Sequence, residues 1–180
     1  MTAGAAWAAA DLGHVEAALA WADEQAHGGA ITSGASSFTA LTKAEASVVE
    51  AMTARILPAV DGRPGAREAG AVYFIDRALA TFNSAQKTLY ADGIGDLNRR
   101  AGSNFATLTP SRQDELLREI EQTPFFQAVR FDTLIGTFAL PSWGGNRDFA
   151  GWRLLGVEHQ PFFQAPFGHY DANLDAGGKD

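Results

Sequence analysis

Histidines are the side chains of this sequence best suited to metal binding, because cysteine is absent and only 4 histidines are present. No two of them have the i, i+4 spacing that places a pair of imidazoles on one face of a metal-binding helix. His159 and His169 share the C-terminal segment with Glu158 and Asp171. A small metal-dependent enzyme that uses these groups is therefore one alternative that the residues leave open.

The loops that mark common enzyme classes are missing from the sequence. A serine hydrolase needs a G-x-S-x-G turn between a strand and a helix, and segment 31–34, Ile-Thr-Ser-Gly, does not supply it. The nearest approach to a nucleotide-binding loop, Gly93-Ile-Gly95, lacks the third glycine. Asp114 and Glu115 are typical of a solvated helix face rather than of a general acid. We therefore predict that the chain has no catalytic residue and binds no cofactor or metal ion.

Length and charge limit the classes of partner. The 180 residues suffice for one domain with a hydrophobic core. The 14 basic and 21 acidic residues give a net charge of −7, which disfavours nucleic-acid binding, because that affinity depends on clustered Lys and Arg. No polybasic run favours a lipid surface, and no stretch approaches the roughly 20 apolar residues of a membrane span. The sequence thus predicts neither a nucleic-acid partner nor membrane insertion.

Tryptophan spacing singles out the first predicted helix, Ala3–Ala26. Trp7 and Trp21 fall on one face of it, and a second apolar stripe lies beside them. Both tryptophans are interpreted as core residues, or else one of them contacts another subunit. A third alternative is a stand-alone helical binding module whose small-molecule groove is lined by this face.

Local signals place the other helices. A flexible linker at 28–37 precedes Thr42 and Glu45, which are the two halves of a capping box, and Pro58 ends the helix that they begin. The remaining predictions are a helix over Arg67–Tyr90, a short turn around Ile94 and Leu97, a helix that begins at Thr109-Pro110, and one from Pro124 to Pro141 in which Gly136 allows close approach. The fold class predicted is an all-α, irregular bundle of about five to seven helices.

After Pro141 the sequence changes to aromatic residues interleaved with glycine and proline. In the run Trp143-Gly-Gly-Asn146 we expect both glycines to adopt positive φ and the asparagine to cap a short helical turn that ends at Trp152. Irregular aromatic segments either fold back on the helices or lie on another protein. The predicted partner-contact residues are Trp143, Gly144, Gly145, Asn146, Trp152, Phe162, Phe163, Phe167 and Tyr170.

Several short motifs form an ordered series between Leu41 and Gly156. They are Leu41-Thr-Lys-Ala-Glu45, Arg55-Ile-Leu-Pro58, the run from Pro64 to Asp76, the run from Thr107 to Leu117, Pro124-Phe-Phe, Pro141-Ser-Trp-Gly-Gly-Asn146, and Gly151-Trp-Arg-Leu-Leu-Gly156. Their order and spacing resemble the small subunit of gluconate 2-dehydrogenase. That family also includes the small (gamma) subunits of FAD-dependent sugar dehydrogenases.

The resemblance implies an accessory role. In such complexes a large flavoprotein of the glucose-methanol-choline type binds FAD and oxidises the sugar or polyol, and a cytochrome c subunit, where present, carries the electrons onward. The small subunit binds and stabilises the large one and assists its maturation and export to the periplasm. The family assigns no catalytic residue to this subunit, so none is carried over to this sequence.

Two departures from the family pattern affect these expectations. Trp143 stands where tyrosine is usual, and the twin-arginine signal that many members carry is absent from this sequence. The periplasmic localisation is therefore expected by family resemblance alone. We predict a single domain over 1–180, with an N-terminal helix and linker in 1–40, a family-like core in 41–156 and an extended tail in 157–180.

Overall fold

Residues 38–157 are described by a computed structural model, and they form six α-helices joined by short turns. Within this range no β-strand occurs, so the predicted all-α fold is confirmed there. The predicted helix Ala3–Ala26, the linker at 28–37 and the tail beyond Val157 lie outside it. In chain order the helices are α1 Lys43–Ile56, α2 Ala71–Ala80, α3 Lys87–Ala101, α4 Pro110–Ile120, α5 Pro124–Phe138 and α6 Ala150–Leu154.

The long helix α5 lies at the centre of the bundle and contacts α1, α2 and α3. Its inner face includes Val129, Thr133 and Gly136, all buried. A Cβ atom at Gly136 would lie 2.9 Å from the Cβ of Phe74 on α2, so glycine is needed for this close approach, as predicted. Apolar residues of α1 to α4 and the turn before α4 complete the core, among them Val48, Val49, Met52, Ile75, Leu79, Leu97, Phe105 and Leu116.

The predicted start signals are present at two helices, although the side chain of Thr109 makes no capping bond before α4. Thr42 Oγ1 accepts from the Glu45 backbone N–H at 3.2 Å, and the Glu45 carboxylate accepts from the Thr42 backbone N–H at 2.8 Å. α1 ends at Ile56, two residues before Pro58, as expected. α4 begins at Pro110, whose missing N–H is not needed in the first turn. Local sequence signals therefore fix these boundaries.

The single helix predicted over Arg67–Tyr90 is wrong, because the structure divides this stretch into two helices. α2 begins only after Gly70, whose φ of 67° is left-handed, and it ends at Ala80. The connection, Thr-Phe-Asn-Ser at 81–84, consists of residues with modest helix propensity whose side chains bond locally. The Thr81 hydroxyl, for example, donates to the Arg77 carbonyl at 2.7 Å.

The short turn predicted around Ile94 and Leu97 is also wrong, because α3 is a helix of 15 residues. Its two glycines weaken the helix signal in the sequence, but Gly93 has a packing role. A Cβ atom at that position would lie 2.1 Å from Cγ of Phe125. Packing of α5 on α3 therefore overrides the low helix propensity of glycine.

An ion pair joins α1 to α4. Arg55 donates from Nε and Nη2 to the two carboxylate oxygens of Asp114, at 2.6 and 2.8 Å. These hydrogen bonds lower the pKa of Asp114. Asp114 is thus a bridging residue, which corrects its interpretation as part of a solvated helix face, whereas Glu115 does lie at the surface beside Arg112.

Candidate functional site

The described part of the predicted partner-contact set lies in the segment that follows α5. A 3-10 turn at Pro141–Trp143 leads into Gly144, whose φ is 104°, so positive φ is confirmed there. The expectation is wrong for Gly145, because the next left-handed residue is Asn146, with a φ of 43°. Asparagine tolerates this conformation better than most residues do. The turn therefore uses Gly144 and Asn146 for its curvature.

Two glycines let this segment lie directly on the backbone of α5. A Cβ atom at Gly145 would lie 1.9 Å from the Gly136 carbonyl oxygen, and one at Gly151 would lie 1.8 Å from the Thr137 carbonyl oxygen. Any other residue at either position would push the segment away from the helix. Their role is close packing, which the sequence did not reveal.

Asn146 joins the segment to the C-terminal end of α5 and to the start of α6 by hydrogen bonds. Its backbone N–H donates to the Gly136 carbonyl at 2.8 Å, and its Nδ2 donates to the Ala139 carbonyl at 2.8 Å. Its Oδ1 accepts from the Gly151 N–H at 2.9 Å, so the expected bond to the backbone that follows is present. The expectation that Asn146 caps the helical turn is wrong, because its side chain makes no capping bond to the 3-10 turn at Arg147–Phe149 and the N-cap of α6 is Phe149. The residue is completely buried within its own chain.

The two tryptophans of the segment are half-buried. Trp143 packs edge-on against Phe82, with 6.0 Å between ring centroids. Trp152 donates from Nε1 to the Phe138 carbonyl at 2.8 Å, and its ring lies 5.2 Å from that of Phe149. Both rings are therefore held in place by the chain itself while part of each stays exposed. Their contact with a partner subunit stays a prediction.

A stack of side chains that the sequence analysis missed lies beside this segment. The Arg147 guanidinium carbon is 3.3 Å from the ring centroid of Tyr73, which is the geometry of a cation–π contact. Tyr73 in turn stacks on Phe38, with 5.2 Å between centroids and 12° between planes. The Arg147 backbone N–H also donates to the Ala69 carbonyl at 3.0 Å. The segment is thus tied to α2 as well as to α5.

Asp76 on α2 is a second residue that the sequence analysis missed. It is buried, and its carboxylate accepts from the backbone N–H groups of Thr39, Ala40 and Leu41, at 2.8 to 3.1 Å. The sequence did contain a signal for it, because Asp76 lies four residues after Val72 and therefore falls on the apolar face of this helix. The carboxylate fixes the point at which the chain enters the bundle.

Asp132 on α5 is the third such residue. Tyr90 donates its hydroxyl to the carboxylate at 2.7 Å, and Asn83 Nδ2 lies 3.5 Å from the same oxygen. Burial raises the pKa of Asp132 to about 6, although the hydrogen bond from Tyr90 opposes the shift. A raised pKa suits a general acid, but this group is only 6% exposed and is surrounded by core residues. Its role here is structural.

Among residues 38–157 no group of three His, Asp or Glu side chains could hold a metal ion. The tail histidines, Glu158 and Asp171 lie outside this range, and so do Phe162, Phe163, Phe167, Tyr170 and the tryptophan face of Ala3–Ala26. Two open grooves of about 280 and 260 Å³ flank the start of α5, lined in part by Asp96 and by the Arg55–Asp114 pair. Both are smaller than typical ligand pockets.

Comparison with known proteins places the chain in a family. A family model described as gluconate 2-dehydrogenase subunit 3 matches residues 43–158, which is well over half of the chain. No curated protein and no solved structure matches it. None of the helices between residues 38 and 157 has the length and apolar character of a membrane span. The match covers α1 to α6 together with the glycine-packed segment after α5, and the chain therefore belongs to the gluconate 2-dehydrogenase subunit 3 family.

Proposed function

We propose that this chain is the non-catalytic small subunit of a periplasmic, FAD-dependent sugar or polyol dehydrogenase. It binds and stabilises the large flavoprotein subunit and assists its maturation and export. FAD belongs to that partner. The observation that carries the proposal is the family match over residues 43–158, since the family is named as a subunit of a dehydrogenase.

The structure supports the proposal through the segment after α5. Gly145 and Gly151 set this segment against the backbone of α5, and Asn146 locks it there. Trp143 and Trp152 are consequently held in fixed orientations with part of each ring exposed. Rigid, partly exposed aromatic rings suit protein–protein contact, because little side-chain entropy is lost when they bind.

The test is production of the large flavoprotein with and without this chain. We expect the flavoprotein made alone to be less soluble, to contain less FAD and to show less dye-linked sugar oxidation. Joint production should restore all three, and the two chains should co-purify. Purified small subunit added to mature, flavin-loaded partner is the control that separates assistance in folding from a direct effect on turnover.

Two outcomes would count against the proposal. A flavoprotein that is equally soluble, flavin-loaded and active without this chain needs no such subunit. Sugar oxidation by the isolated chain would show that it is an enzyme in its own right.

A further inference from the structure

The outer face of α5 carries apolar side chains, although its inner face already forms the core. Phe131, Leu134, Ile135 and Phe138 recur at helical spacing on this outer face, and we call these four residues the outer stripe. Leu134 is 37% exposed and Ile135 is 38% exposed. A helix that is apolar on two sides is normally covered on both.

Further exposed apolar side chains follow α5 along the chain. Six large hydrophobic side chains are exposed within residues 38–157, and five of them lie between positions 134 and 157. They are Leu134, Ile135, Leu140, Leu155 and Val157. This concentration in one part of the chain, together with the exposed pair Leu134 and Ile135 on one helix face, favours a cover over this part of the bundle.

The described chain ends beside the outer stripe. Trp152 donates to the Phe138 carbonyl at 2.8 Å, which places α6 next to the last residue of the stripe. The Val157 backbone N–H donates to the Trp152 carbonyl at 2.9 Å. Residues 158–180 therefore start next to the C-terminal end of the exposed apolar surface.

The length and composition of this C-terminal segment fit the surface. The stripe extends for roughly 10 Å along α5, and the five residues that follow Val157, up to Phe162, reach about 17 Å when extended. Phe162, Phe163, Phe167 and Tyr170 provide apolar rings. The segment has four acidic residues and one lysine, whereas the exposed Arg130 and Arg153 are on α5 and α6. Its covalent attachment also gives it a high local concentration at the stripe.

We propose that in the uncomplexed subunit the chain's own C-terminal segment, residues 158–180, covers the outer stripe of α5, with Phe162 and Phe163 against Leu134 and Ile135. This proposal corresponds to the first of the two expectations for the aromatic tail, in which the tail folds back on the helices of its own chain. The inference concerns the isolated subunit and does not depend on the dehydrogenase role.

The absence of cysteine makes a spin-label experiment direct, because one introduced cysteine gives one label. In the full chain, Arg130→Cys places a nitroxide beside the stripe without removing any of its side chains. Arg112→Cys places the same label on the exposed face of α4 and is the matched control. We expect amide signals of residues 160–165 to broaden several-fold more with the first label than with the second.

A second measurement does not use labels. The double variant Phe162→Ser/Phe163→Ser should bind more of a dye that reports exposed apolar surface than the unaltered chain does, while its circular dichroism stays the same. Equal dye binding by both would overturn the proposal.

The remaining outcomes of the label experiment also overturn it. Equal broadening from both labels would mean that the tail does not rest on the stripe. Broadening of residues 1–37 instead would identify the N-terminal segment as the cover. Broadening in mixtures of labelled and unlabelled protein would identify a second copy of the chain. None of these results bears on complex formation with a flavoprotein, which is measured separately.

Discussion

Two buried carboxylates, Asp76 and Asp132, are stabilised in different ways. Asp76 accepts from three backbone N–H groups of the entering chain, so its negative charge has hydrogen-bond partners. Asp132 has the hydroxyl of Tyr90 and a longer contact with Asn83. Burial with few donors favours the protonated form of Asp132 and raises its pKa to about 6.

Replacing Asp76 should destabilise the fold. Asp76→Ala leaves three backbone N–H groups without their acceptor, and we expect a loss of about 3 kcal/mol in the free energy of unfolding, with a smaller loss for Asp76→Asn. Urea unfolding measures both. Asp92→Asn, which removes the same charge from an exposed position of α3, is the control and should change little. Equal stability of Asp76→Ala and the unaltered chain would contradict the anchoring role.

Asp132 should make stability fall as the pH rises from about 4 to about 6. The folded chain keeps its proton up to about pH 6, whereas an unfolded aspartate releases it near 3.8. The folded state thus binds the proton more tightly, and its advantage over the unfolded state is lost through this interval, by about 3 kcal/mol at most. Asp132→Asn carries no titrating proton, so its stability relative to the unaltered chain should rise across the interval in urea titrations.

In the same titrations, the effect of Asp114→Asn on the free energy of unfolding should depend on pH with the opposite sign. Arg55 lowers the pKa of Asp114, so the stabilisation it provides is present above the ordinary value of 3.8 and is lost as the pH falls. The cost of Asp114→Asn should therefore shrink towards acidic pH. Identical pH profiles for the two variants would show that neither carboxylate titrates as its surroundings imply.

At the scale of the helix, alanine substitutions of the two glycines of α3 distinguish the effect of tertiary packing on stability from the effect of helix propensity. Gly93→Ala would place a Cβ atom 2.1 Å from Cγ of Phe125, and we expect a loss of about 1–3 kcal/mol. Gly95→Ala meets no atom within 4 Å and should raise stability by about 0.5–1 kcal/mol, because alanine favours a helix. Thermal unfolding of the two variants checks both signs. A gain in both would mean that Phe125 moves aside at little cost.

The same elements show how far the sequence predicts the fold. Boundaries set by local chemistry, such as the capping box at Thr42 and the proline at the start of α4, were predicted correctly. The break after Ala80 was missed because it depends on weak local preferences in residues 81–84, and the continuity of α3 through Gly93 was missed because it depends on contact with α5. In the candidate site, the bond from the backbone to the Asn146 side chain was foreseen from its residue type, but its role as a helix cap was wrong. The contacts of Arg147 with α2 were not foreseen, because they depend on distant parts of the chain.

At the scale of the whole molecule, the segment after α5 should be decisive for assembly. Gly151→Ala would put a Cβ atom 1.8 Å from the Thr137 carbonyl oxygen, which displaces α6 and the ring of Trp152. If this ring contacts the flavoprotein, affinity should fall at least about tenfold, which is about 1.4 kcal/mol. Titration calorimetry with the mature partner measures it. Gly95→Ala should bind as the unaltered chain does.

Tryptophan fluorescence shows whether the displacement has occurred. A Gly151→Ala variant with altered fluorescence and unaltered affinity would contradict a role for this segment in binding the flavoprotein. The fold itself is monitored by circular dichroism, so that general unfolding is recognised.

The stack of Phe38, Tyr73 and Arg147 has a geometrical consequence. It places Phe38, the first residue that the structure describes, next to Arg147. From Arg147 the chain continues through α6 to Val157. The 37 residues before Phe38 are therefore attached beside the segment from which the 23 residues after Val157 continue. A larger protein that faces this region can engage both extensions at once, and such bivalent attachment multiplies affinity without enlarging either contact.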